Sequence, residues 1–415
     1  MKVVGIVAEY NPFHNGHKYQ IEELRKRTDA DYVVIAMSGN FLQRGVPAVC
    51  DKYSRTRMAL SCGADLVLEL PTLWATASAE YFAEGAVNLL KNTGVVTHLG
   101  FGAETDNLDA LSLYASIMKK EPPLYQETLA AALKEGRAFP VARKKALMMQ
   151  SIQMNHAYNA DTLNEIMDAP NNILAMEYLK ALPKKGITPV LVKREGAGYH
   201  STDIHEKNPS ATAIRSAMQA NNTKAYLKKS MPEEAFTVMR QCIEKNALLE
   251  SNNLSSVLGF RLLSLQKEGY ADFADCNEDL SNKILNHLNE FTCFDAFCQE
   301  LKTKDLTHTR VSRVLLHILL NIREKDYTAG KQLKYAPYLR VLGFRKDSTA
   351  LLSEIKKEAS VPLITKVADA ASNLPPKAYK MFEQDLYASS IYNQVMTVRK
   401  HQPPANDYTS QIVIL

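Results

Sequence analysis

The chain has 415 residues, of which 46% are hydrophobic and 23% are charged, and its net charge is +5. This composition predicts an ordinary soluble globular protein with a sizeable core and about two or three domains, and the mild charge does not by itself indicate nucleic acid. Neither a cleavable leader nor a run of about 18 apolar residues occurs, so we expect a cytoplasmic protein without a membrane partner. The six cysteines form no CxxC pair, and we expect reduced thiols.

The first third of the chain alternates short apolar runs with helical patterns. The runs are rich in β-branched residues, as expected for strands buried on both faces of a parallel sheet: VVGIVA (3–8), DYVVIAM (31–37), ADLVLEL (64–70) and VVTHLGFG (95–102). Segments such as HKYQIEELRKRT lie between them and read as helices. This pattern predicts an α/β fold with a doubly wound, Rossmann-like sheet that binds ligands at the carboxyl ends of its strands.

The rest of the chain reads as mainly helical. Residues 105–183 are predicted to form a helical insertion, TPVLVKR (188–194) a further strand, and PSATAIRSAM (209–218) the start of a helix capped by Ser210 or Thr212. We place a domain boundary between residues 218 and 219. Residues 219–415 should form a mainly helical second domain with short β-like pieces at 338–344 and 360–365.

A pair of histidines follows the first predicted strand. His14 and His17 flank Gly16, which permits a tight turn, and a helix beginning near residues 15–17 would direct unpaired N–H groups outward. Such a turn is suited to an anion, and the imidazoles could donate to phosphate oxygens. Alternatively, the two histidines cap the helix or bind a metal ion.

These residues resemble a known signature. His14, Asn15, Gly16 and His17 are similar to the HxGH motif of nucleotidylyltransferases and class I aminoacyl-tRNA synthetases, and PSATAIR (209–215) is similar to their late ISSTxxR element. Ala211 replaces a hydroxyl in this element, and there is no KMSKS-type lysine pair. The resemblance implies that His14, His17 and Arg215 are catalytic and that Ser210 and Thr212 hold the β- and γ-phosphates of ATP.

A narrower resemblance covers blocks in the first half of the chain. VAEYNPFHNGHKYQ, SGNFLQRGVPAVCDKYSR, SAEYFAEGAV, LGFGAE and PNNILAMEYLKAL occur in the order found in the bacterial tRNA(Met) cytidine acetate ligase family. The second half fits more loosely. Membership implies that acetate and ATP give acetyl-adenylate and pyrophosphate, and that the acetyl group passes to N4 of the wobble cytidine of elongator tRNA(Met). It also implies a nucleotidylyltransferase-like catalytic domain over residues 1–218 and a basic tRNA-binding domain over 219–415.

The resemblance assigns an ATP site to two groups of residues. One is a continuous segment: Val7, Ala8, Glu9, Tyr10, Asn11, Pro12, Phe13, His14, Asn15, Gly16, His17, Lys18, Tyr19 and Gln20. The other residues are dispersed: Gly102, where the adenosine would approach the backbone, Asn171, which could bond a ribose or base edge, and Arg194, near a phosphate. Without the resemblance these three read as a turn glycine, a helix cap and a solvated arginine.

Two basic groups are candidates for RNA contact. Arg44, Lys52 and Arg55 follow the second predicted strand, although the latter two could equally be the solvated face of a helix. Residues 301–350 carry eleven Lys or Arg and four Asp or Glu, a local charge of +7. Arg310 and Arg313 in this segment could follow phosphates, with Tyr327, Tyr335 and Tyr338 stacking on bases; alternatively, residues 310–322 form an amphipathic core helix.

Three functions remain open. The favoured one is the tRNA acetate ligase, which would need Mg²⁺ bridging phosphates but shows no acidic metal-binding cluster, so we assign no protein metal ligands. Its partners would be acetate and elongator tRNA(Met), with neither DNA nor membrane. The alternatives are a small-molecule adenylyltransferase of coenzyme biosynthesis, which has no need of the basic second half, and a catalytically silent RNA-binding protein, which has no physical reason to keep both histidines and Arg215.

Overall fold

The computed structural model describes residues 1–154, 160–194, 211–218 and 223–415 of the chain. A central sheet organises this part of the molecule, in the strand order β5-β4-β1-β2-β3-β6-β7, with β8 paired to β6. The strands are β1 (Val3–Ala8), β2 (Tyr32–Ser38), β3 (Leu66–Leu70), β4 (His98–Ala103), β5 (Thr188–Lys193), β6 (Leu339–Phe344), β7 (Leu363–Ile364) and β8 (Val413–Ile414). Strands β1 to β5 pair in parallel, as their apolar composition predicts, and β6 is antiparallel to β3.

Each face of the sheet carries its own hydrophobic cluster. Along β2, Val34 and Ala36 belong to one cluster, whereas Val33, Ile35 and Met37 belong to the other. This division follows from the alternation of side chains along a strand. Because both faces are covered by helices, nearly every residue of β2 is buried, and the run DYVVIAM is apolar throughout rather than alternating.

Helices connect and cover the strands. Those of the first three strand connections, from β1 to β4, are α1 (Asn15–Thr28), α2 (Lys52–Ser61), α3 (Thr72–Ala75) and α4 (Ala79–Asn92). The expected helical insertion between β4 and β5 consists of α5 (Leu108–Lys120), α6 (Pro123–Lys134), α7 (Phe139–Gln153), α8 (Ala160–Met167) and α9 (Pro170–Ala181). Helix α9 packs against α4, α5 and β4, which brings the end of the insertion close to the edge of the sheet.

The chain after β5 is mainly helical, as predicted. It forms α10 (Ala211–Met218), α11 (Thr223–Ser230), α12 (Glu233–Glu244), α13 (Ser255–Ser264), α14 (Glu278–His287), α15 (Phe294–Leu301), α16 (His308–Leu320), α17 (Glu324–Gln332), α18 (Thr349–Glu358), α19 (Ala370–Asn373) and α20 (Pro376–Lys400). The β-like pieces at 338–344 and 360–365 do form strands, but β6 joins the N-terminal sheet through β3. The two halves of the chain therefore share a sheet.

The strand order places a topological switch between β1 and β4. From β1 the chain proceeds to β2 and β3 on one side, and it then returns to lay β4 on the other side, with Ile6 opposite Gly100. In doubly wound sheets, ligands bind in the crevice where the order reverses, beyond the carboxyl ends of the strands. The HNGH segment leaves β1 at this point. No helix in the described ranges is both long and apolar enough to cross a membrane.

Candidate active site

A cavity of about 190 Å³ opens at the switch between β1 and β4. The segment after β1 lines its base, the loop after β2 and the end of β4 line its sides, and α9 and α10 close it. Of the residues assigned to the ATP site, those that line it are Val7, Ala8, Glu9, Tyr10, Asn11, His14, His17, Gln20, Gly102, Asn171, Arg194, Thr212 and Arg215. The structure thus brings together side chains that lie more than 200 residues apart in sequence.

The two histidines cap helix α1 with their own rings. His14 is the N-cap residue, and its Nδ1 accepts from the Gly16 amide at 3.1 Å. The Nδ1 of His17 accepts from the His14 amide at 3.1 Å, and the two rings are stacked with centroids 3.7 Å apart. The expectation of unpaired amides at this turn is therefore wrong for residues 14 and 16, because the imidazoles accept from both.

This capping fixes the hydrogen-bonding role of each ring. A neutral imidazole whose Nδ1 accepts a hydrogen bond carries its proton on Nε2. Burial and the nearby guanidinium groups of Arg194 and Arg215 lower the pKa of His14 to about 3. Burial, His14 and Arg194 also lower the pKa of His17 well below its ordinary value. Both rings are therefore neutral at physiological pH, and each offers an Nε2–H donor.

Guanidinium groups give the cavity an excess of positive charge. In the described part of its wall, Arg44, Arg194 and Arg215 oppose the single carboxylate of Glu9. Arg215 is held in place because it donates to the Asn11 carbonyl at 2.7 Å and to the Thr212 hydroxyl at 3.2 Å. Burial raises the pKa of Glu9, while the Gln43 amide and the guanidinium groups of Arg44, Arg215 and Arg55 act in the opposite direction. An anionic ligand would balance this charge.

The far side of the cavity is built around Gly102 and the start of α9. A Cβ atom on Gly102 would lie 3.3 Å from Cγ of Arg194, so the glycine lets the arginine side chain cross the end of β4. Asn171 lies in the first turn of α9 and donates to the Glu104 carboxylate at 2.6 Å, and the Asn172 amide donates to the same group at 3.0 Å. Glu104 thereby caps α9 and orients Asn171.

Some residues assigned to the ATP site do not line this cavity. Phe13 is fully buried and packs its ring 4.7 Å from Tyr10 and 5.4 Å from His17, so it lies outside the lining, and its contact with ATP stays a prediction. Asn15 donates to the Lys229 carbonyl at 2.9 Å, which ties α1 to α11, and Lys18 lies 3.7 Å from Glu234. Pro12, Gly16 and Tyr19 also lie outside the lining, and Ser210 lies outside the described residues.

The structure contradicts RNA contact by Lys52 and Arg55. Both side chains are fully buried. Lys52 donates to Glu69 at 2.9 Å and to Asp407 at 3.0 Å. Arg55 donates to backbone carbonyls, at 2.7 Å to that of Glu9, and so fastens the ends of β1 and β2 together. These two cations therefore have structural roles. Several of their partners lie far away in the sequence, so the local pattern could not reveal those roles.

The basic segment 301–350 is also more buried than its charge predicts. The stacking roles expected for Tyr327 and Tyr338 are wrong: Tyr327 packs 5.6 Å from Trp74, and Tyr338 donates to Asp385 at 2.6 Å. Arg313 donates to Asp275 at 3.0 Å and only 12% of its side chain is exposed. Arg310 is half-buried in the first turn of α16. RNA contact by Arg310 and Arg313 stays a prediction.

Sequence reasoning missed the apolar wall of the cavity. Phe82 of α4, Phe101 of β4, and Leu174 and Tyr178 of α9 line it, together with Leu42 and Val46 of the loop after β2. Their positions on helices and strands are those of ordinary core residues, so the sequence offers no signal that distinguishes them. Only the packing of α9 against α4 and β4 shows that they face a cavity.

Comparison with known proteins identifies the family. A model of the HIGH nucleotidyl transferases matches residues 1–407. The tRNA(Met) cytidine acetate ligase of Halothermothrix orenii is 37% identical over 401 residues, covering 95% of this chain and 94% of the relative. The ligase of Acetivibrio thermocellus is 35% identical, with both chains fully covered. The chain belongs to the tRNA(Met) cytidine acetate ligase family.

Solved structures agree with this membership and with the Rossmann-like nucleotidylyltransferase fold. The apo structure of Thermotoga maritima TmcAL superposes with a TM-score of 0.94 at 31% identity and full coverage of both chains. A second structure of TmcAL, bound with alpha-thio ATP, gives a TM-score of 0.91 at 30% identity, covering 100% of this chain and 99% of the other. The family is thus one of nucleotide-binding, tRNA-modifying ligases, as its relatives' names and this bound analogue indicate.

Proposed function

We propose that this chain activates acetate with ATP as acetyl-adenylate and then transfers the acetyl group to N4 of the wobble cytidine of elongator tRNA(Met). The products are pyrophosphate, AMP and N4-acetylcytidine in the tRNA. The observation that carries the proposal is the cavity at the β1–β4 switch, where two neutral imidazoles and three guanidinium groups face a space bordered by Gly102. These are donors for a polyphosphate placed next to a backbone that a nucleoside can approach.

The proposed ATP position follows from these groups. The Nε2–H groups of His14 and His17 donate to the phosphates, and Arg194 and Arg215 balance the charge on the β- and γ-phosphates. The adenosine approaches the backbone at Gly102, and Asn171, oriented by Glu104, bonds the ribose or base edge. Thr212 adds a hydroxyl through its contact with Arg215. The corresponding role of Ser210 remains an expectation from its sequence position.

The proposed first step needs no covalent bond to the protein. An acetate oxygen forms a bond to the α-phosphorus in line with the bond to the departing pyrophosphate, which breaks. The imidazole and guanidinium donors neutralise the charge that develops on the phosphate oxygens. Because the donors are fixed by the cap of α1 and by the Asn11 carbonyl, little reorganisation is needed during the reaction.

Mg²⁺ would assist by neutralising and bridging phosphate oxygens. Within the described ranges, the cluster with metal-ligand spacing is His287, Glu290 and Glu300, and none of them lines the cavity. We therefore propose that the ion is held mainly by ATP oxygens and water, with Glu9 the carboxylate in the described part of the cavity wall. The chain's own contribution is to orient the phosphates with His14, His17 and Arg215.

The tRNA would bind across the outer surface of both halves of the chain. We propose that residues 1–218 carry the ATP chemistry and that residues 219–415 supply most of the tRNA contacts. With Lys52 and Arg55 excluded by burial, the candidates that remain are Arg44 at the cavity, Arg310 on the first turn of α16, and Arg313 with its small exposed fraction. Because the proposed reaction uses tRNA, ATP and acetate, we propose that the protein works in the cytoplasm.

The test is exchange of labelled pyrophosphate into ATP by the purified chain with Mg²⁺, with acetate or with chloride at equal ionic strength, and without RNA. We expect exchange that depends on acetate. A second reaction supplies elongator tRNA(Met), with a transcript carrying uridine at the wobble position as control, and we expect acetylated cytidine only in the former. Exchange without acetate dependence, or silence both with and without tRNA, would reject the proposal.

A further inference from the structure

A second chamber of about 350 Å³ adjoins the candidate active site. Four residues line both spaces: Asn11, Arg44, Val46 and Arg215. The remaining wall of the second chamber comes from the loop after β2, the segment 248–251, and the first turns of α15 and α16. The two spaces therefore meet at one wall, and a ligand in the second chamber would approach the reaction centre from the side opposite the sheet edge at Gly102.

Hydrogen bonds fix the wall between the two chambers. The Asn11 side chain accepts from the Val49 amide at 2.7 Å, and the Val49 carbonyl accepts from the Leu249 amide at 2.9 Å. The Asn11 carbonyl accepts from Arg215 at 2.7 Å. The segment at residue 249 is thus connected through residues 49 and 11 to the arginine of the first chamber. These hydrogen bonds hold the wall of the second chamber in a fixed position relative to Arg215.

The size of the second chamber excludes acetate as its main occupant. A two-carbon acid is only a few times larger than a water molecule, whose share of liquid volume is about 30 Å³. A space of about 350 Å³ falls in the range of pockets that hold a nucleotide-sized ligand. ATP is assigned to the first chamber by its histidine and arginine donors and not by its volume of about 190 Å³, so the second chamber needs a different occupant.

The chemistry of the wall fits a single nucleotide of an RNA. Arg399 is exposed at the end of α20 and can reach a phosphate, while Pro47, Val49 and Leu249 line the chamber with apolar side chains that are largely buried. Asp295 lies in the first turn of α15, which is held because its own amide donates to Asn252 at 2.9 Å. Carboxylates are the side chains that accept from the exocyclic amine of cytosine.

Two neighbours of Asp295 leave its carboxylate available as an acceptor. Glu250, the other carboxylate of the chamber, serves as a cap, because its side chain accepts from the Asn253 amide. Burial and Lys302 lower the pKa of His308, whereas Asp295 acts in the opposite direction. A neutral imidazole at physiological pH forms no ion pair with Asp295.

We propose that the second chamber receives the acceptor nucleotide, an unstacked cytidine of the RNA, and that the Asp295 carboxylate binds its exocyclic amine. This inference rests on the proposed function. The amine nitrogen forms a bond to the acetyl carbonyl carbon of acetyl-adenylate, the bond from that carbon to the phosphate oxygen breaks, and AMP leaves with the electron pair. The amine loses one proton, which passes to Asp295 and then to water.

The test measures the two steps of the reaction separately in the variant Asp295→Asn. The matched control is Asp305→Asn, because Asp305 is exposed and lines neither chamber. In Asp295→Asn we expect acetate-dependent pyrophosphate exchange at the rate of the unaltered chain, and acetyl transfer to elongator tRNA(Met) reduced on the order of 100-fold. Asp305→Asn should preserve both steps. Intact transfer in Asp295→Asn, or loss of exchange together with transfer, would overturn the inference.

A binding measurement distinguishes recognition of the base from a structural role. The probes are two RNA hairpins with the anticodon loop of tRNA(Met), one with cytidine and one with uridine at the wobble position. The unaltered chain should prefer cytidine by roughly fivefold or more, and Asp295→Asn should bind the two hairpins alike, because an amide can pair with either base. An undiminished preference would overturn the inference. Absence of exchange in the unaltered chain would instead reject the proposed function.

Discussion

Two regions of this molecule bring charged side chains together, and they differ in burial and in charge balance. At the candidate active site, Arg44, Arg194 and Arg215 face a cavity with only Glu9 among the described carboxylates of its wall. In the second region, which we term the buried charge cluster, Lys52 and Arg340 meet Glu69 and Asp407 at 2.9 to 3.1 Å. The first region keeps an excess of positive charge, whereas the second is balanced.

The difference separates ligand binding from stability. Burial by itself would raise the pKa of Asp407, but Lys52 and Arg340 hold it below its ordinary value, so this carboxylate stays ionised. At the cavity, the guanidinium groups help to lower the pKa of His14, and Glu9 is the carboxylate of the described wall. A cavity whose described wall carries more cations than carboxylates can gain free energy when an anion enters, and a balanced cluster cannot.

The largest expected effect comes from unbalancing the buried charge cluster. Replacing Lys52 by Met leaves Glu69 and Asp407 with Arg340 alone, and we expect the free energy of unfolding to fall by about 3–5 kcal/mol. Urea denaturation followed by circular dichroism measures it. Lys356→Met, at an exposed position of α18, is the control and should change stability by less than about 0.5 kcal/mol. A loss below about 1 kcal/mol for Lys52→Met would mean that the cluster is not what stabilises this part of the fold.

The cluster also shows where sequence reasoning fails. Lys52 was expected on a solvated or RNA-facing surface because its local sequence is basic, but its partner Asp407 lies 355 residues away. Tyr338 is buried for a similar reason, since its hydroxyl donates a hydrogen bond to Asp385. A charge or a ring carries no local sign of the partner that will cover it, so burial of polar residues in the second half could not be predicted.

The fold and the base of the cavity were predictable because their signals are local. The runs that form β1 to β5 are apolar and short, and Gly16 between two histidines marks the turn into α1. The antiparallel placement of β6 beside β3 depends on contacts across about 270 residues and has no local signal. The capping of α1 by two imidazoles was weighed as an alternative to phosphate binding, and the geometry makes the two compatible, because capping occupies Nδ1 and leaves Nε2–H.

The next largest effect tests this compatibility at the cavity. In His17→Asn the side-chain oxygen can still accept from the His14 amide, but the ring donor toward the cavity is lost. We expect the rate of acetate-dependent pyrophosphate exchange to fall about 10²- to 10³-fold, as for removal of one donor to a transition-state anion. His287→Ala, a half-buried histidine away from both chambers, should retain the full rate. If His17→Asn kept the full rate of pyrophosphate exchange, the role of His17 would be limited to capping α1.

A pH experiment measures how the lowered pKa of His14 affects stability. The pKa of His14 is about 3 in the folded chain and about 6.5 when unfolded, so the unfolded chain binds one more proton between these values. Stability should therefore fall as pH falls below 6.5, by up to about 1.4 kcal/mol per pH unit for this group.

His14→Asn keeps a side-chain acceptor at the N-cap but removes the titrating ring. Its stability should therefore fall less steeply than that of the unaltered chain, with a difference of about 2 kcal/mol accumulated at pH 5. Urea denaturation at pH 7, 6 and 5 gives both curves, and His287→Asn, which removes a histidine that lines neither chamber, serves as a control. Parallel curves for His14→Asn and the unaltered chain would show that His14 is protonated in the folded protein.

The smallest effect concerns Gly102, where the adenosine of ATP is proposed to approach the backbone. In Gly102→Ala the new methyl group would lie 3.3 Å from Cγ of Arg194 and 3.6 Å from Nε2 of Gln20, so the arginine must move by a few tenths of an ångström. We expect KM for ATP in the exchange reaction to rise about fivefold, equivalent to about 1 kcal/mol, with KM for acetate and the thermal stability nearly unchanged. If instead stability fell and KM for ATP did not change, Gly102 would serve packing alone. The distinction matters because a methyl group beside the buried side chains of Lys52, Glu69 and Arg340 could only disturb packing, whereas at the cavity it competes with the ligand that the positive charge attracts.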